Sequence, residues 1–274
     1  MVVNVITRHA PTNYGSLLQA IATQRVIMNL GYECRIINYI PKCETGVRMA
    51  ITQLEQKTKW RRNPIKKAIY LMVAEPETLL IDRKFLAMRK KYLLMGPCCA
   101  TTGELKKLYA EKKDEVFLTG SDQVWGPIST GHYDPTYFLD FAPKSSRKLA
   151  FAASFGKAIF DEQTLKEYGV LLKKYDSLAV RENVAVELLK KMDISAKQVL
   201  DPTLLLSQKD WLNSVAINPI KDGRYVLVYT LSGSRYIKQL VMDISKKLDC
   251  SKIIFIFNNE TIVYENGNEQ KIII

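Results

Sequence analysis

Apolar and polar positions fall in blocks along this chain, and the blocks repeat in strand–helix order. Val2–Ile6 is a short aliphatic run, followed by a polar loop from Arg8 to Tyr14. From Gly15 the spacing changes: Leu17, Leu18, Ile21, Ala22 and Met28 recur on one side of a helix, and Gly31 stands where a helix C′ residue belongs. Cys34 to Tyr39 is a second strand before Pro41. One strand–helix–strand unit in about 40 residues is the building block of a parallel sheet. The alternation returns with strands at Val116–Leu118 and Leu149–Ala153, a helix at Leu165–Leu172, a strand at Ser177–Val180, a helix at Val184–Met192 and a strand at Gln198–Leu200. This order predicts an α/β fold with a parallel-sheet N-terminal domain over residues 1 to 210.

Two segments interrupt that pattern. Residues 46 to 95 read as a helical insertion without a sheet pattern, and Ser207 to Gly223, polar and broken by Pro219, reads as an interdomain linker. Beyond the linker, Tyr225–Leu231, Ser234–Leu248 and Lys252–Phe257 give strand, helix and strand. That is the start of a second Rossmann-like domain over residues 220 to 274. At about 50 residues it is expected to be incomplete, because domains typically run to about 100 to 150.

Composition narrows the class. An apolar content of 47% and a charged content of 25% in 274 residues suit a soluble globular protein. No apolar run approaches the roughly 20 residues of a membrane-spanning helix, and MVVNVITRHAP lacks the regions of a signal peptide. The five cysteines (Cys34, Cys43, Cys98, Cys99, Cys250) form no CxxC pair, so they read as reduced thiols in a cytoplasmic protein. The net charge of +12 is uneven: residues 47 to 113 hold sixteen Lys/Arg against six Asp/Glu, a surplus of +10. Lys57, Lys59, Trp60, Arg61, Arg62, Lys66 and Lys67 precede the apolar Ala68–Val73. Residues 57 to 73 therefore either pack on the sheet domain or rest on an anionic membrane surface, at the inner face of the membrane. No nucleic-acid-binding module accompanies the charge, so no nucleic acid partner is expected.

The chemistry is expected where strands end. Val116–Leu118 breaks into Thr119, Gly120, Ser121, Asp122 and Gln123, with Trp125 offering a flat apolar face. Leu149–Ala153 ends likewise in Ser154, Phe155 and Gly156. Ser121, Ser154, Arg181 and Asp201 each follow a strand, and in a parallel sheet those carboxyl ends share one rim, where open α/β sheets bind ligands. Arg181 either presents a bidentate fork to a carboxylate or phosphate, or pairs with Glu182. Asp201 either takes part directly or closes a turn before Pro202. Asn13, Tyr14, Gly15 and Ser16 lie at a helix start, where free backbone N–H groups favour anions. With only His9 and His132 present, no zinc-like spacing exists. No Walker A, GxGxxG or GxSxG motif is present either.

Five stretches occur in one order: NYGSLLQA from Asn13, GSDQVW from Gly120, LAFAASFG from Leu149, AVREN from Ala179 and VLDPTLLL from Val199. Together they resemble the polysaccharide pyruvyl transferase family from Asn13 to Leu206. The resemblance implies the glycosyltransferase-B type of architecture, with two Rossmann-like domains. It implies transfer of a pyruvyl group from phosphoenolpyruvate, as donor substrate with no further cofactor, to a sugar of a surface polysaccharide or glycoconjugate. It further implies a catalytic Arg181 and a sugar or lipid-linked saccharide acceptor oriented by Asp122 or Gln123 and stacked on Trp125. The family's histidine and a further cationic residue lie in a C-terminal stretch that these residues do not contain. The alternatives are a nucleotide-sugar-dependent glycosyltransferase of the same architecture and a non-catalytic saccharide-binding remnant.

Overall fold

A computed structural model describes residues 1–41, 44, 64–128, 130–215, 223–230, 235–257, 260–265 and 268–272. By packing, the chain divides into two units, Met1–Pro11 with Gly15–Val215, and Thr12–Tyr14 with Ala216–Ile274.

The first unit is built on β1 (Val2–Ile6), β2 (Glu33–Ile36), β3 (Val116–Thr119), β4 (Lys148–Ala153), β5 (Ser177–Val180) and β6 (Lys197–Gln198). They form one six-stranded sheet in the order β2-β1-β3-β4-β5-β6, and every pairing is parallel. Its helices are α1 (Tyr14–Asn29), α2 (Pro64–Tyr92), α3 (Thr102–Tyr109), α4 (Glu162–Leu172), α5 (Asn183–Lys191) and α6 (Gln208–Ser214). The strand order reverses beside β1, since β2 lies on one side and β3 on the other. Such a switch point opens a crevice at the carboxyl ends. β3 is buried along its whole length, as a central parallel strand of four apolar or β-branched residues should be.

The core gathers beneath the loops that follow β3 and β4. Trp125, Phe138, Phe155, Tyr168 and Phe117 are all within 2% of complete burial. The Trp125 ring stacks on Phe138 at 5.8 Å, lies 5.1 Å from Phe155 and meets Tyr175 edge-on at 6.1 Å. Tyr168 donates its hydroxyl to the Trp125 carbonyl. Aromatic faces at these separations favour offset or edge contacts, which fixes the ring planes as well as the volume.

Part of the basic insertion, residues 45–63, lies outside the described residues, and with it Lys57–Arg62. The C-terminal part of α2 packs on the sheet unit: Phe85 is buried, Gln24 donates to the Tyr92 carbonyl at 3.1 Å, and the Leu94 N–H returns a bond to Gln24 at 2.7 Å. Among the described residues, no helix is long and apolar enough to cross a membrane.

The expected linker at Ser207–Gly223 contains a helix, α6. Ser207 and Asp210 form a capping box, in which each side chain satisfies an otherwise free backbone N–H of the first turn. The S-x-x-D spacing carries that signal in the sequence.

The second unit holds β7 (Val226–Thr230), α7 (Arg235–Lys247), β8 (Lys252–Phe257), β9 (Glu260–Glu265) and β10 (Asn268–Ile272). β7 and β8 are parallel, but β9 and β10 run antiparallel, giving a mixed sheet ordered β10-β9-β8-β7. This departs from the further parallel unit that a Rossmann-like start implies. Only Asn258 and Asn259 separate β8 from β9, too few for a crossover, and only Asn266–Gly267 separates β9 from β10, the strongest short hairpin signal in the chain.

Candidate functional site

Backbone hydrogen bonds stitch the strand ends into one rim before any side chain takes part. The Gly120 N–H donates to Ile6 O at 2.8 Å, Ser154 N–H to Asp122 O at 3.1 Å, Trp125 N–H to Ser154 O at 3.1 Å, and Arg181 N–H to Ala153 O at 3.1 Å. Asp122 and Ala152 adopt positive φ, 82° and 56°. At Ala152 the pairing of β4 with β5 shifts register, so the bulge turns the end of β4 toward the rim. Gly126 is required where these loops cross, because a Cβ there would stand 2.8 Å from the Phe155 carbonyl oxygen.

Ser121, Arg181 and Asp201, contributed by three different strand ends, form a single polar cluster. Asp201 Oδ2 accepts from Ser121 Oγ at 2.8 Å and from Arg181 Nη1 at 3.1 Å, while Oδ1 accepts from the Thr203 N–H at 3.0 Å and hydroxyl at 2.7 Å. Burial alone raises the Asp201 carboxyl, but the bonds from Thr203, Ser121 and Arg181 outweigh it and hold the group below the usual carboxylate range. Burial likewise works against the Arg181 charge, and Glu182 and Asp201 more than restore it. Arg181 Nε donates to Glu182 Oε1 at 2.8 Å. Both sequence-level readings of Arg181 therefore meet in one side chain: Nε and Nη1 are held by carboxylates, and among the described residues Nη2 makes no hydrogen bond.

Arg181 also lines a cleft of about 250 Å³, together with Gln123, Ser154, Gly156, Lys157 and Glu182. Gly156 takes φ 68° beside the Gln123 side chain, and its N–H donates to Ser154 Oγ at 3.0 Å. Helix α5 begins at this cleft. Its N-cap, Glu182, makes no side-chain capping bond, so the first-turn N–H groups are not satisfied by their own cap.

The remaining sequence candidates are placed differently. Asp122 accepts from Ser16 Oγ at 2.7 Å and from the Gln123 N–H at 2.7 Å, which ties the start of α1 to the end of β3. Gly120 is buried against Val5 and Thr7 rather than lining the cleft. Trp125 is fully buried, so the expectation that it stacks on a sugar is corrected: its ring faces are covered by Phe138 and Phe155. Gly15 belongs to the first unit; Asn13, exposed, and Tyr14, half-buried, are grouped with the second. Lys157 and Glu182 are lining residues that sequence reasoning did not select. Their signal was position: Lys157 is the first charged residue after the β4 exit, and Glu182 follows Arg181 directly after the β5 exit.

His9 is sealed in the first unit. Burial, reinforced by the charge of Arg89, lowers it from 6.5 to about 3, and neither ring nitrogen has a hydrogen-bond partner. A group with its folded pKa depressed below the unfolded value costs stability once the unfolded chain begins to take the proton. Stability is therefore expected to fall as pH drops below 6.5 and to go on falling toward about 3. Asp201 and the other lowered carboxylates lose their contribution only as pH falls through their ordinary values of 3.8 to 4.5 and below. Denaturant midpoints measured against pH check this: His9→Leu is expected to flatten the slope between pH 6.5 and about 4.5 while leaving the steeper acid limb.

No group of three or more His, Cys, Asp or Glu that would suit a metal ion occurs among the described residues. The fold and the rim define an α/β protein with a carboxyl-end cleft bearing paired cations and carboxylates. The family profile described as polysaccharide pyruvyl transferase matches residues 13–273, and the chain belongs to that family. No curated protein matches the sequence. Among solved structures, a pyrophosphate-dependent myo-inositol-1 kinase converted to a myo-inositol-3 kinase aligns with 99% of this chain and 76% of its own, at 12% identity and a TM-score of 0.31.

Proposed function

We propose that this protein transfers a pyruvyl group from phosphoenolpyruvate to a hydroxyl of a saccharide in surface polysaccharide or glycoconjugate synthesis, on the cytoplasmic side. The observation that carries the reading is the convergence of Ser121, Ser154, Arg181 and Asp201 from separate strand ends, in a chain of the pyruvyl transferase family. The acceptor hydroxyl adds to the enol carbon bearing the phosphate, a proton is delivered to the methylene carbon, and phosphate leaves. A second acceptor hydroxyl takes the place of the departing phosphate on that carbon and closes the ketal; of the two hydroxyl protons, one balances the proton given to the methylene carbon and the other leaves with phosphate.

In this reading the Asp201–Ser121 pair holds the Arg181 guanidinium rigid, and its Nη2 edge meets an anionic oxygen of the donor. A planar fork fixed in this way loses little entropy on binding. Lys157 adds a second positive charge at the mouth. Gln123, exposed beside the cleft, is better placed than the doubly bonded Asp122 to orient a sugar hydroxyl. Release of phosphate from phosphoenolpyruvate that depends on added saccharide tests the proposal. Turnover that requires a nucleotide sugar instead would assign the chain to glycosyl transfer, and saccharide binding without turnover with either donor would leave it a binding protein.

A further inference from the structure

The exit of β3 is held by buried side chains that lie outside the cleft. Thr7, directly after β1, and Gln19, on α1, are 1% and 3% exposed. Thr7 Oγ1 donates to the Ser121 carbonyl at 2.7 Å. A hydroxyl has one proton and a carbonyl can only accept, so the 2.8 Å contact with Gln19 runs from Nε2 to Thr7 Oγ1. The same Nε2 donates to the Ser16 carbonyl at 2.9 Å. These two acceptors fix which end of the amide is nitrogen. Gln19 Oε1 is left buried, with no hydrogen-bond partner among the described residues. An unsatisfied buried acceptor lowers stability, so stability does not explain this amide.

The carbonyl that Thr7 holds belongs to the Ser121–Asp122 peptide. Asp122 takes φ 82°, in the left-handed region that residues other than glycine seldom occupy. Rotation of that one peptide plane changes ψ of Ser121 together with φ of Asp122, and it is the route by which Asp122 returns to negative φ. Thr7 opposes the rotation directly, because its hydroxyl binds the oxygen that would swing away. Ser16 opposes it from the same helix as Gln19, its Oγ donating to Asp122 Oδ2. Groups at the cleft depend on the outcome. The Ser121 hydroxyl donates to Asp201 Oδ2, the oxygen that also receives Arg181 Nη1. Gln123, directly after Asp122, lines the cleft with its side chain against Gly156.

We propose that Thr7 and Gln19 are positioning residues for the cleft. They hold the Ser121–Asp122 peptide in its strained orientation and so keep Ser121, Arg181 and Gln123 in place for donor and saccharide. Neither touches a substrate. The effect on turnover rests on the transfer reading, whereas the orientation of the peptide is open to measurement without it.

Three variants test the role. Each is read for melting temperature, for phosphoenolpyruvate- and saccharide-dependent turnover per folded molecule, and for the backbone at residue 122 in a crystal structure. Thr7→Val keeps the shape of the side chain and removes the hydroxyl. It is expected to bring Asp122 to negative φ and to lower turnover about 10- to 100-fold, as displacement of site groups by about 1 Å does. Thr7→Ser restores the hydroxyl and should return both φ and turnover close to the parent's. Gln19→Met removes the amide together with its unsatisfied oxygen, while the Ser16 carbonyl keeps its place inside α1. Its melting temperature should match or exceed the parent's although its turnover falls about 3- to 10-fold. A merely structural role would move stability and leave turnover per folded molecule unchanged. Parental φ at residue 122 in Thr7→Val would overturn the proposal, and so would a rotated peptide with parental turnover. If the parent itself turns over no phosphoenolpyruvate, the transfer reading fails on its own. The crystal structures then decide: a peptide rotated in Thr7→Val but not in Thr7→Ser upholds the positioning role.

Discussion

Replacing Trp125 by alanine is expected to remove about 3–5 kcal/mol of stability, the range found when a fully buried large aromatic is truncated. The ring is the pillar on which both site loops rest. The backbone N–H of Trp125 donates to the Ser154 carbonyl, its backbone carbonyl accepts from Tyr168, and its ring faces meet Phe138 and Phe155. The backbone beside the ring is closely packed, since a Cβ on Gly126 would stand 2.8 Å from the Phe155 carbonyl oxygen. Trp125→Phe keeps much of the volume and should cost less. Chemical denaturation of both variants measures the difference. If the ring instead served saccharide binding from an exposed face, Trp125→Ala would weaken binding with little change in stability.

The second large effect belongs to Arg181. Removing a charge-assisted contact to a bound anion costs on the order of 2–4 kcal/mol, so Arg181→Ala should lower turnover per folded molecule about 30- to 1000-fold. It also strips one partner from Asp201 and one from Glu182. A stability loss of about 1–3 kcal/mol is expected in addition, because Asp201 is half-buried and keeps only Ser121 and Thr203. Arg181→Lys separates the two roles. It keeps a charge for Asp201 but loses the planar fork, so stability should recover more than activity. Melting temperature and phosphoenolpyruvate-dependent turnover on the same preparations decide the matter. Activity that simply tracks the folded fraction would confine Arg181 to a structural ion pair.

The parallel sheet was legible because buried strands announce themselves as short aliphatic runs that end in polar groups. Ser177–Val180 and Lys252–Phe257 are strands within the expected bounds, and the α7 and α5 helices differ from expectation by one residue at each end. The rim was legible for the same reason, since residue types at strand exits can be read without knowing the packing. What escaped depends on contacts distant in sequence. Trp125 looked like a ligand platform because nothing in GSDQVW tells that Phe138, Phe155 and Tyr175 enclose it. The engagement of Arg181 by Asp201 needed β5 and β6 to be neighbours. The lowered basicity of His9 is likewise not local, because Arg89, whose charge adds to the effect of burial, lies on a helix about 80 residues away and donates to the Ala10 carbonyl beside it. The β9–β10 hairpin is different: its signal, Asn266–Gly267 between two short strands, is local and stands in the sequence itself.

The central claim is that this chain moves the pyruvyl carbons of phosphoenolpyruvate onto a saccharide. The most direct measurement supplies carbon-labelled phosphoenolpyruvate and a saccharide acceptor to the full-length protein, then follows the label by mass spectrometry. Label covalently attached to the saccharide, with one phosphate released for each transfer, is the predicted result. Label recovered only in unreacted phosphoenolpyruvate or free pyruvate, with the saccharide unlabelled, would contradict the account.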